Sequence, residues 1–256
     1  MEVTFGPMGD SSPTLLRPTQ GRKRPGKTSP KGTKGNAQKR MRFDLAAIER
    51  SLRAVQRDFD RINATLETPR DPLSERVIAN LLAGYAYLDT LLADGRHPLA
   101  LGNSRDLLQL NHLVLCGTDE ADIKDSAKHM AETAERFYDR SGPGGVGELM
   151  GTLAALRDEP VWRRAARAYI QVMTRPQLFI EGNHRTGALI MSALLAAEGK
   201  PPFVLTVGNA KAYFDPSTLA KDSRKRSLQL FLRQPKLRKQ LAELLKREAD
   251  WGLLRP

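Results

Sequence analysis

Hydrophobic residues recur at alternating spacings of three and four positions from residue 43 onward. Such a stripe is typical of one face of an amphipathic helix, and it ends where Thr68-Pro69 and Asp71-Pro72 interrupt the chain. The pattern predicts a long first helix whose buried face consists of Leu45, Ile48, Leu52, Val55, Phe59, Ile62 and Leu66. The stripe is also compatible with a three-heptad coiled coil, although a helix lying on its own domain is the commoner outcome.

The rest of the chain shows further helical periods separated by glycine and proline. Asp71 and Pro72 predict the cap and the first position of a second helix that reaches Ala93. Later helices are predicted at 104–115, 118–139, 146–157, 160–173, 185–198, 216–232 and 236–249, with caps at Thr118 and Asp158, and a short strand is predicted at 203–207. Because the helix at 185–198 is very apolar, we expect it to be buried. The sequence therefore predicts an all-α bundle around this central helix.

The net charge of +12 is concentrated at the two ends of the 256-residue chain. Ten Lys and Arg residues with no intervening acid lie between Arg17 and Arg42, and from Lys221 onward eleven basic residues accompany four acidic ones. Residues 1–42 are rich in Pro, Gly, Ser and Lys, and this composition predicts a disordered basic tail. The tail is a candidate for binding nucleic acid or an acidic membrane surface, but the simpler interpretation is a solvated tail without a dedicated partner.

Several classes of protein do not fit this sequence. No apolar run approaches the ~20 residues of a membrane span. Residues 1–10 carry acids rather than the basic and apolar stretches of a secretory signal. The single cysteine, Cys116, excludes an internal disulfide and a multi-cysteine metal site, and we expect it to be a small buried hydrophobe. These features predict an intracellular, cytoplasmic protein.

Residues 177–187 depart from ordinary helical patterning, with the sequence Gln-Leu-Phe-Ile-Glu-Gly-Asn-His-Arg-Thr-Gly. A Gly/Asn turn leads directly into the central helix, where free backbone N–H groups and the helix dipole favour an anion such as phosphate. Arg185 in the first turn would oppose the dipole unless a phosphate lay between its guanidinium and the amides. Glu181, just before the turn, can hold a Mg²⁺ that bridges phosphate oxygens. The segment therefore predicts a nucleotide-phosphate site.

The same segment resembles the signature loop of the Fic/Doc (Fido) family, His-x-Phe-x-Asp/Glu-Gly-Asn-Gly-Arg-x-x-Arg. The matching residues are Phe179, Glu181, Gly182, Asn183 and Arg185, and an Ala165-Ala166-x-x-Tyr169 helix before the loop agrees with the family too. The resemblance implies a Fido-like helical core, binding of ATP with Mg²⁺, and transfer of an AMP-type group onto a protein hydroxyl. In that scheme the metal ligand is Glu181, and the nucleotide-binding residues are Gly182, Asn183 and Arg185.

Three positions of the family's motif are changed in this chain. Gln177 stands where the family has its histidine base, and a glutamine amide cannot accept a proton near neutral pH; losing such a base costs ~10²–10⁴-fold in rate. His184 takes the place of the second glycine, and Ala188 takes the place of the second arginine. The Ser/Thr-x-x-x-Glu-Gly/Asn pattern of the family's inhibitory helix is also absent from the sequence.

These changes leave three interpretations of the loop. In the first, which we favour, the domain binds a nucleotide or similar ligand and transfers it slowly or not at all, with Gln177 orienting the acceptor. In the second, His184 supplies a base from another side. In the third, the loop is structural, with Asn183 capping the helix and Glu181 holding local amides. A further alternative is a non-catalytic interaction module whose basic ends bind nucleic acid.

The resemblance divides the chain into the tail (1–42), an N-terminal helical extension (43–95), a Fido-like core (96–222) and C-terminal basic helices (223–256). The glycine-rich segment 142–147 lies where the family carries a flap that docks the target protein. A short β-hairpin acting as a mobile lid is therefore an expectation, beside that of a plain connector. His129 lies on a charged helix and is expected to be solvated; no histidine spacing indicates a metal site.

Overall fold

The computed structural model describes residues 42–222 and 228–255, and their regular structure is almost entirely helical. Two short strands, β1 (Arg42–Phe43) and β2 (Leu254–Arg255), pair antiparallel. The helices are α1 (Leu45–Arg57), α2 (Phe59–Asn63), α3 (Glu75–Ala93), α4 (Ser104–Cys116), α5 (Glu120–Asp125), α6 (Ala127–Tyr138), α7 (Val146–Ala155), α8 (Val161–Met173), α9 (Asn183–Ala197), α10 (Ala210–Asp222) and α11 (Leu228–Arg247). The predicted mainly helical fold is confirmed.

The apolar helix α9 lies at the centre of the core, as predicted. Every residue from Thr186 to Leu195 is buried, with α8 packed along it and α3 and α4 on its other sides. Gly187 allows Tyr169 of α8 to approach closely, because a Cβ at this position would lie 2.8 Å from the ring. Phe203 is tied to the same helix, since the Ser192 hydroxyl accepts its backbone N–H at 3.1 Å. The start of α9 is therefore held by a densely packed core.

The first and last described segments meet beside α3. Asp89 is buried and accepts hydrogen bonds from Nε and Nη2 of Arg42, at 2.9 and 2.6 Å, and from the backbone N–H of Phe43 at 2.7 Å. Buried residues of α1 and α3 join those of α8 and α9 in one hydrophobic core. The N-terminal helices are thus packed into the body that carries the central helix.

The predicted boundaries of the first helices are wrong in three places. The first helix is interrupted at Asp58, although Phe59 and Ile62 of α2 remain buried and continue the hydrophobic stripe. Helix α3 starts at Glu75 because Ser74, not Asp71, caps it, with Oγ accepting the Val77 N–H at 3.3 Å. The segment predicted as one helix over 118–139 is divided between α5 and α6 at Ser126.

Later elements differ from the predictions as well. The strand predicted at 203–207 is wrong: residues 203–206 form no regular secondary structure, and their backbone groups bond to side chains such as Ser192 and Asn209. Helix α10 starts at Ala210, and α11 continues through Pro235 instead of stopping before it. Residues 141–145 form bends and turns, so the expected β-hairpin flap is not present there.

The basic tail predicted for residues 1–42 lies, apart from Arg42, outside the described residues. Among the helices that the structure describes, none combines the length and the apolar character needed to cross a membrane.

The packing of α9 gives a direct test of the fold. Replacing the fully buried Leu189 by alanine removes packed methyl groups and leaves a cavity, and should lower the free energy of unfolding by about 2–5 kcal/mol. Leu101 is 97% exposed, so Leu101→Ala is the matched control and should change stability by less than about 0.5 kcal/mol. Urea unfolding of both variants measures the difference; similar small effects would mean that α9 is not the centre of the core.

Candidate functional site at the start of helix α9

The loop before α9 is closed by the side chain of Asn183. Its Oδ1 accepts the backbone N–H of Phe179 at 3.0 Å, and its Nδ2 donates to the Phe179 carbonyl at 2.8 Å. Phe179 itself is fully buried and stacks on Phe137, with ring centroids 5.5 Å apart. Asn183, predicted to cap the helix, therefore closes the loop through hydrogen bonds to Phe179. The N-cap position is occupied by Gly182.

Gly182 sets the direction of the chain as it enters α9. Its φ of +72° lies in the left-handed region, where glycine pays no Cβ penalty. A Cβ here would also lie 3.0 Å from Nδ2 of Asn111, which donates to the Glu181 carbonyl at 2.9 Å and to the Thr186 hydroxyl at 3.0 Å. The first N–H groups of α9 have no acceptor within the helix, and this buried network keeps them in place.

Arg185 lies in the first turn of α9 and is partly buried. Its Nη1 donates to the Val114 carbonyl at 2.5 Å, at the C-terminal end of α4. Burial lowers the pKa of the guanidinium, and the nearby Glu181 carboxylate opposes that shift. Within the described residues no carboxylate lies within ion-pair distance of Arg185. Because its fixed partner is a neutral carbonyl, Arg185 keeps its positive charge available for an anion.

Arg185 and Glu181 form one wall of a cavity of about 330 Å³, which we call the loop cavity. Its opposite wall comes from the N-terminal parts of α3 and α6 and their cap residues, which contribute Ser74, Arg76, Val77, Asn80, Ser126 and His129. The N-termini of α3, α6 and α9 border this cavity with their partial positive charges, and the C-terminal end of α4, with Leu115 and Cys116, brings a partial negative charge to it. Arg76 adds a guanidinium, which lies 3.5 Å from Asp122.

The Glu181 carboxylate is exposed and makes no hydrogen bond or ion pair with the described residues. Across the same residues there is no group of three or more His, Cys, Asp or Glu side chains that could hold a metal ion. A Mg²⁺ at Glu181 would therefore need phosphate oxygens and waters for the rest of its shell, which is a usual arrangement for this ion in nucleotide sites. The Glu181 carboxylate could be the one protein ligand in such a shell. It does not bond to local amides, which is what the structural interpretation of the loop predicted.

Gln177, at the position of the family's base, is held within the loop. Its Nε2 donates to the Met173 carbonyl at 3.1 Å, and its Oε1 lies 3.4 Å from Nδ2 of Asn183. Gly144 of the glycine-rich segment packs beside it against Pro176, since a Cβ at Gly144 would lie 2.9 Å from the proline ring. Gln177 lines neither the loop cavity nor the second cavity described below.

His184 does not face the loop cavity. Its side chain lines a second cavity of about 380 Å³, which we call the cationic cavity because Arg70, Arg185 and Lys221 also line it. The imidazole Nδ1 lies 2.8 Å from the Tyr169 hydroxyl, and Nε2 lies 3.4 Å from Nη1 of Arg70. Since an arginine can only donate, this geometry fits a neutral ring with its proton on Nδ1.

Burial, followed by the positive charges of Arg70, Lys221 and Arg185, lowers the pKa of His184 to about 3. An imidazole with so low a pKa is a poor general base near neutral pH. The placement of His184 therefore does not support its prediction as a replacement base.

Several residues of the two cavities were missed by sequence reasoning. The sequence patterns single out neither Arg70, in the break after the first predicted helix, nor Ser74 and Arg76 beyond it. His129, expected to be solvated, is partly buried, and its Nε2 has no hydrogen-bond partner among the described residues. None of these residues lies near the loop in sequence, so no spacing signal could have joined them to it.

Comparison of the chain with protein-family models, with curated proteins and with solved structures finds no match. The resemblance of the loop to the Fic/Doc family therefore rests on its own residues.

The environment of His184 predicts a pH dependence of stability. The folded pKa of about 3 lies below the value of ~6.5 in an unfolded chain, so the unfolded state takes up the proton first as the pH falls. The stabilisation is complete above pH ~6.5 and declines by roughly 1.4 kcal/mol per pH unit below it, until the folded pKa is reached.

His184→Gln removes this titration and leaves every other group in place. Between about pH 6 and about pH 4.5, the free energy of unfolding of the wild type should fall faster than that of the variant by roughly 1.4 kcal/mol per unit. Denaturant unfolding at several pH values measures both slopes. Parallel slopes would show that His184 is free to protonate in the folded protein.

Proposed function

We propose that this chain binds a nucleotide, with its phosphates at the first turn of α9 and a Mg²⁺ on Glu181. One observation carries the proposal: Arg185, in the first turn of α9, and the unpaired carboxylate of Glu181 line the same cavity, which the N-termini of α3 and α6 also border. Each of these features favours a metal-bound polyanion, and they act on the same volume.

The residues of the loop have distinct parts in this proposal. Gly182 and Asn183 supply backbone N–H groups at a fixed position, and Arg185 adds charged donors beside them. A Mg²⁺ bound through Glu181 would neutralise charge on the phosphate oxygens. Gln177 bonds within the loop and lines neither cavity, so its amide would have to turn to orient an acceptor hydroxyl, and it cannot take the proton from that hydroxyl.

In the Fic/Doc family that the loop resembles, the bound nucleotide provides an AMP-type group for a protein hydroxyl. We propose that this chain retains the binding step and performs the transfer slowly or not at all. The two candidate bases support this: Gln177 is an amide held within the loop, and His184 is held against Tyr169 with a pKa of about 3.

Nucleotide binding predicts a ligand-dependent thermal shift. With ATP and Mg²⁺ at about 100 times the dissociation constant, the wild type should gain roughly 2.7 kcal/mol of stability, or about 5–10 °C in Tm. Arg185→Ala should lose most of that gain relative to its own ligand-free Tm. Arg157, whose side chain is 81% exposed and lies outside both cavities, gives the control Arg157→Ala, which should respond like the wild type.

The absence of a shift with every common nucleoside triphosphate, in a folded wild type, would refute nucleotide binding. An equal shift in Arg185→Ala would place the ligand elsewhere.

The proposed loss of transfer predicts a gain of activity on restoring the base. Gln177→His should raise the rate of nucleotide addition to protein hydroxyls by about 10²-fold or more, because an imidazole can accept the hydroxyl proton. Mass spectrometry of the purified protein after incubation with ATP and Mg²⁺ detects self-modification. The double variant Gln177→His/Arg185→Ala is the matched control and should stay unmodified.

If Gln177→His still binds ATP and transfers no faster than the wild type, the missing base is not what limits the reaction.

A further inference from the structure

The cationic cavity is bounded by α1–α3, by the segment 70–73 and by the facing sides of α9 and α10. It shares Arg185 with the loop cavity, but its other cationic side chains belong to it alone. Arg70 and Lys221 line only the cationic cavity, so a ligand there does not depend on nucleotide binding in the loop cavity.

Arg70 is fixed in position without the help of a carboxylate. Its backbone N–H donates to Oδ1 of Asn63 at 2.7 Å, and its Nη2 donates to the Thr218 hydroxyl at 2.5 Å and to the Phe214 carbonyl at 3.4 Å. Its guanidinium carbon lies 5.4 Å from the centre of the Phe214 ring. Its Nε is buried and has no hydrogen-bond partner among the described residues. A charged donor therefore remains unsatisfied next to this cavity.

The charges around the cavity do not balance. Arg70, Arg185 and Lys221 line it, whereas Asp71 is the one acid among its lining residues, and Asp71 is exposed. No carboxylate of the described chain lies within ion-pair distance of Arg70 or Lys221. The excess of two positive charges also acts on His184, which stays neutral. Partly buried charges are normally paired, so this excess is typical of a site that receives an anion.

The rest of the wall is aromatic and apolar. Tyr213 packs between Phe203 and Phe214, with ring centroids 4.9 and 5.3 Å away, and Phe59 and Tyr85 line the same space. Such a wall favours a flat apolar group over a bare, hydrated ion. The cavity therefore combines a cationic end with an apolar body.

We propose that the cationic cavity binds a phosphate monoester carried on a small aromatic or apolar body. A doubly charged phosphate matches the excess of two positive charges, and the guanidinium of Arg70 attracts it by its charge. Lys221 contributes a second charge from α10, and the body of the ligand lies against Tyr213 and Phe214. Since Nη2 of Arg70 already bonds to Thr218 and Phe214 and Nη1 lies near His184, Arg70 would hold the phosphate mainly by its charge, and the ligand would join the N-terminal helices to α9 and α10.

Calorimetric titration of the full chain with phenyl phosphate tests this site. The wild type should bind it, whereas inorganic phosphate and phenol, which each lack one half of the ligand, should bind at least tenfold more weakly. Arg70→Gln should weaken binding of phenyl phosphate at least tenfold. Arg50→Gln is the matched control: Arg50 is exposed on α1, does not line the cavity, and should leave the affinity unchanged.

Lys221→Gln keeps the test valid if Arg70→Gln does not fold, because Lys221 makes no hydrogen bond or ion pair within the described chain. It should weaken binding at least threefold. Arg76→Gln distinguishes the two cavities: Arg76 lines only the loop cavity, so this variant should bind phenyl phosphate like the wild type.

Failure of the folded wild type to bind phenyl phosphate would overturn the inference, as would unchanged affinity in both Arg70→Gln and Lys221→Gln. Loss of binding in Arg76→Gln alone would place the phosphate in the loop cavity and would overturn it too. Titration of the wild type and of Arg185→Ala with ATP and Mg²⁺ separates the two proposals, because an Arg185-dependent nucleotide response can persist when phenyl phosphate does not bind.

Discussion

The structure depends on how the first turn of α9 is held. The first backbone N–H groups of a helix have no partners within the helix. At the start of α9, the neighbouring chain must be held by bonds that do not occupy these groups. Asn183 does this by bonding to both backbone groups of Phe179, and Asn111 does it by bonding to the Glu181 carbonyl and to Thr186. These hydrogen bonds fix the shape of the loop, and none of them uses a backbone N–H of residues 183–185.

The two arginines beside this turn are stabilised in a way that preserves their charge. Arg185 donates to the Val114 carbonyl, and Arg70 donates to the Phe214 carbonyl and the Thr218 hydroxyl. Neutral acceptors satisfy part of each guanidinium but do not cancel its charge. Carboxylate partners at the same positions would have stabilised the fold and closed both cavities to anions. The neutral partners of the two arginines therefore connect the packing of this region with the anion binding that we propose.

The sequence predicted what local periodicity and local chemistry determine. The stripe from Leu45 to Leu66 marked the buried face of α1 and α2, and the apolar run after Gly182 marked the central helix. The turn, the Glu181 carboxylate and Arg185 were found because they lie together along the chain. These features depend on residues that are close in sequence, so the predicted positions agree with the structure.

What the sequence did not predict depends on contacts between distant segments. Arg70 approaches His184 across 114 positions of the chain, and no local pattern marks a residue in an interhelical segment for such a contact. The position of His184 in the sequence placed it in the loop. Its side chain points instead into the cationic cavity, where it bonds to Tyr169 of α8. Helix α11 continues through Pro235 because tertiary packing can outweigh the local cost of a proline.

Backbone amide shifts in NMR spectra, recorded while ATP and Mg²⁺ are added, test the central claim most directly. The account predicts that the largest shifts fall on the amides of Gly182, Asn183, His184 and Arg185, because phosphate oxygens would accept hydrogen bonds from the start of α9. If ATP binds and these amides stay unchanged while others shift, the start of α9 is not the phosphate site, and the loop only supports the fold.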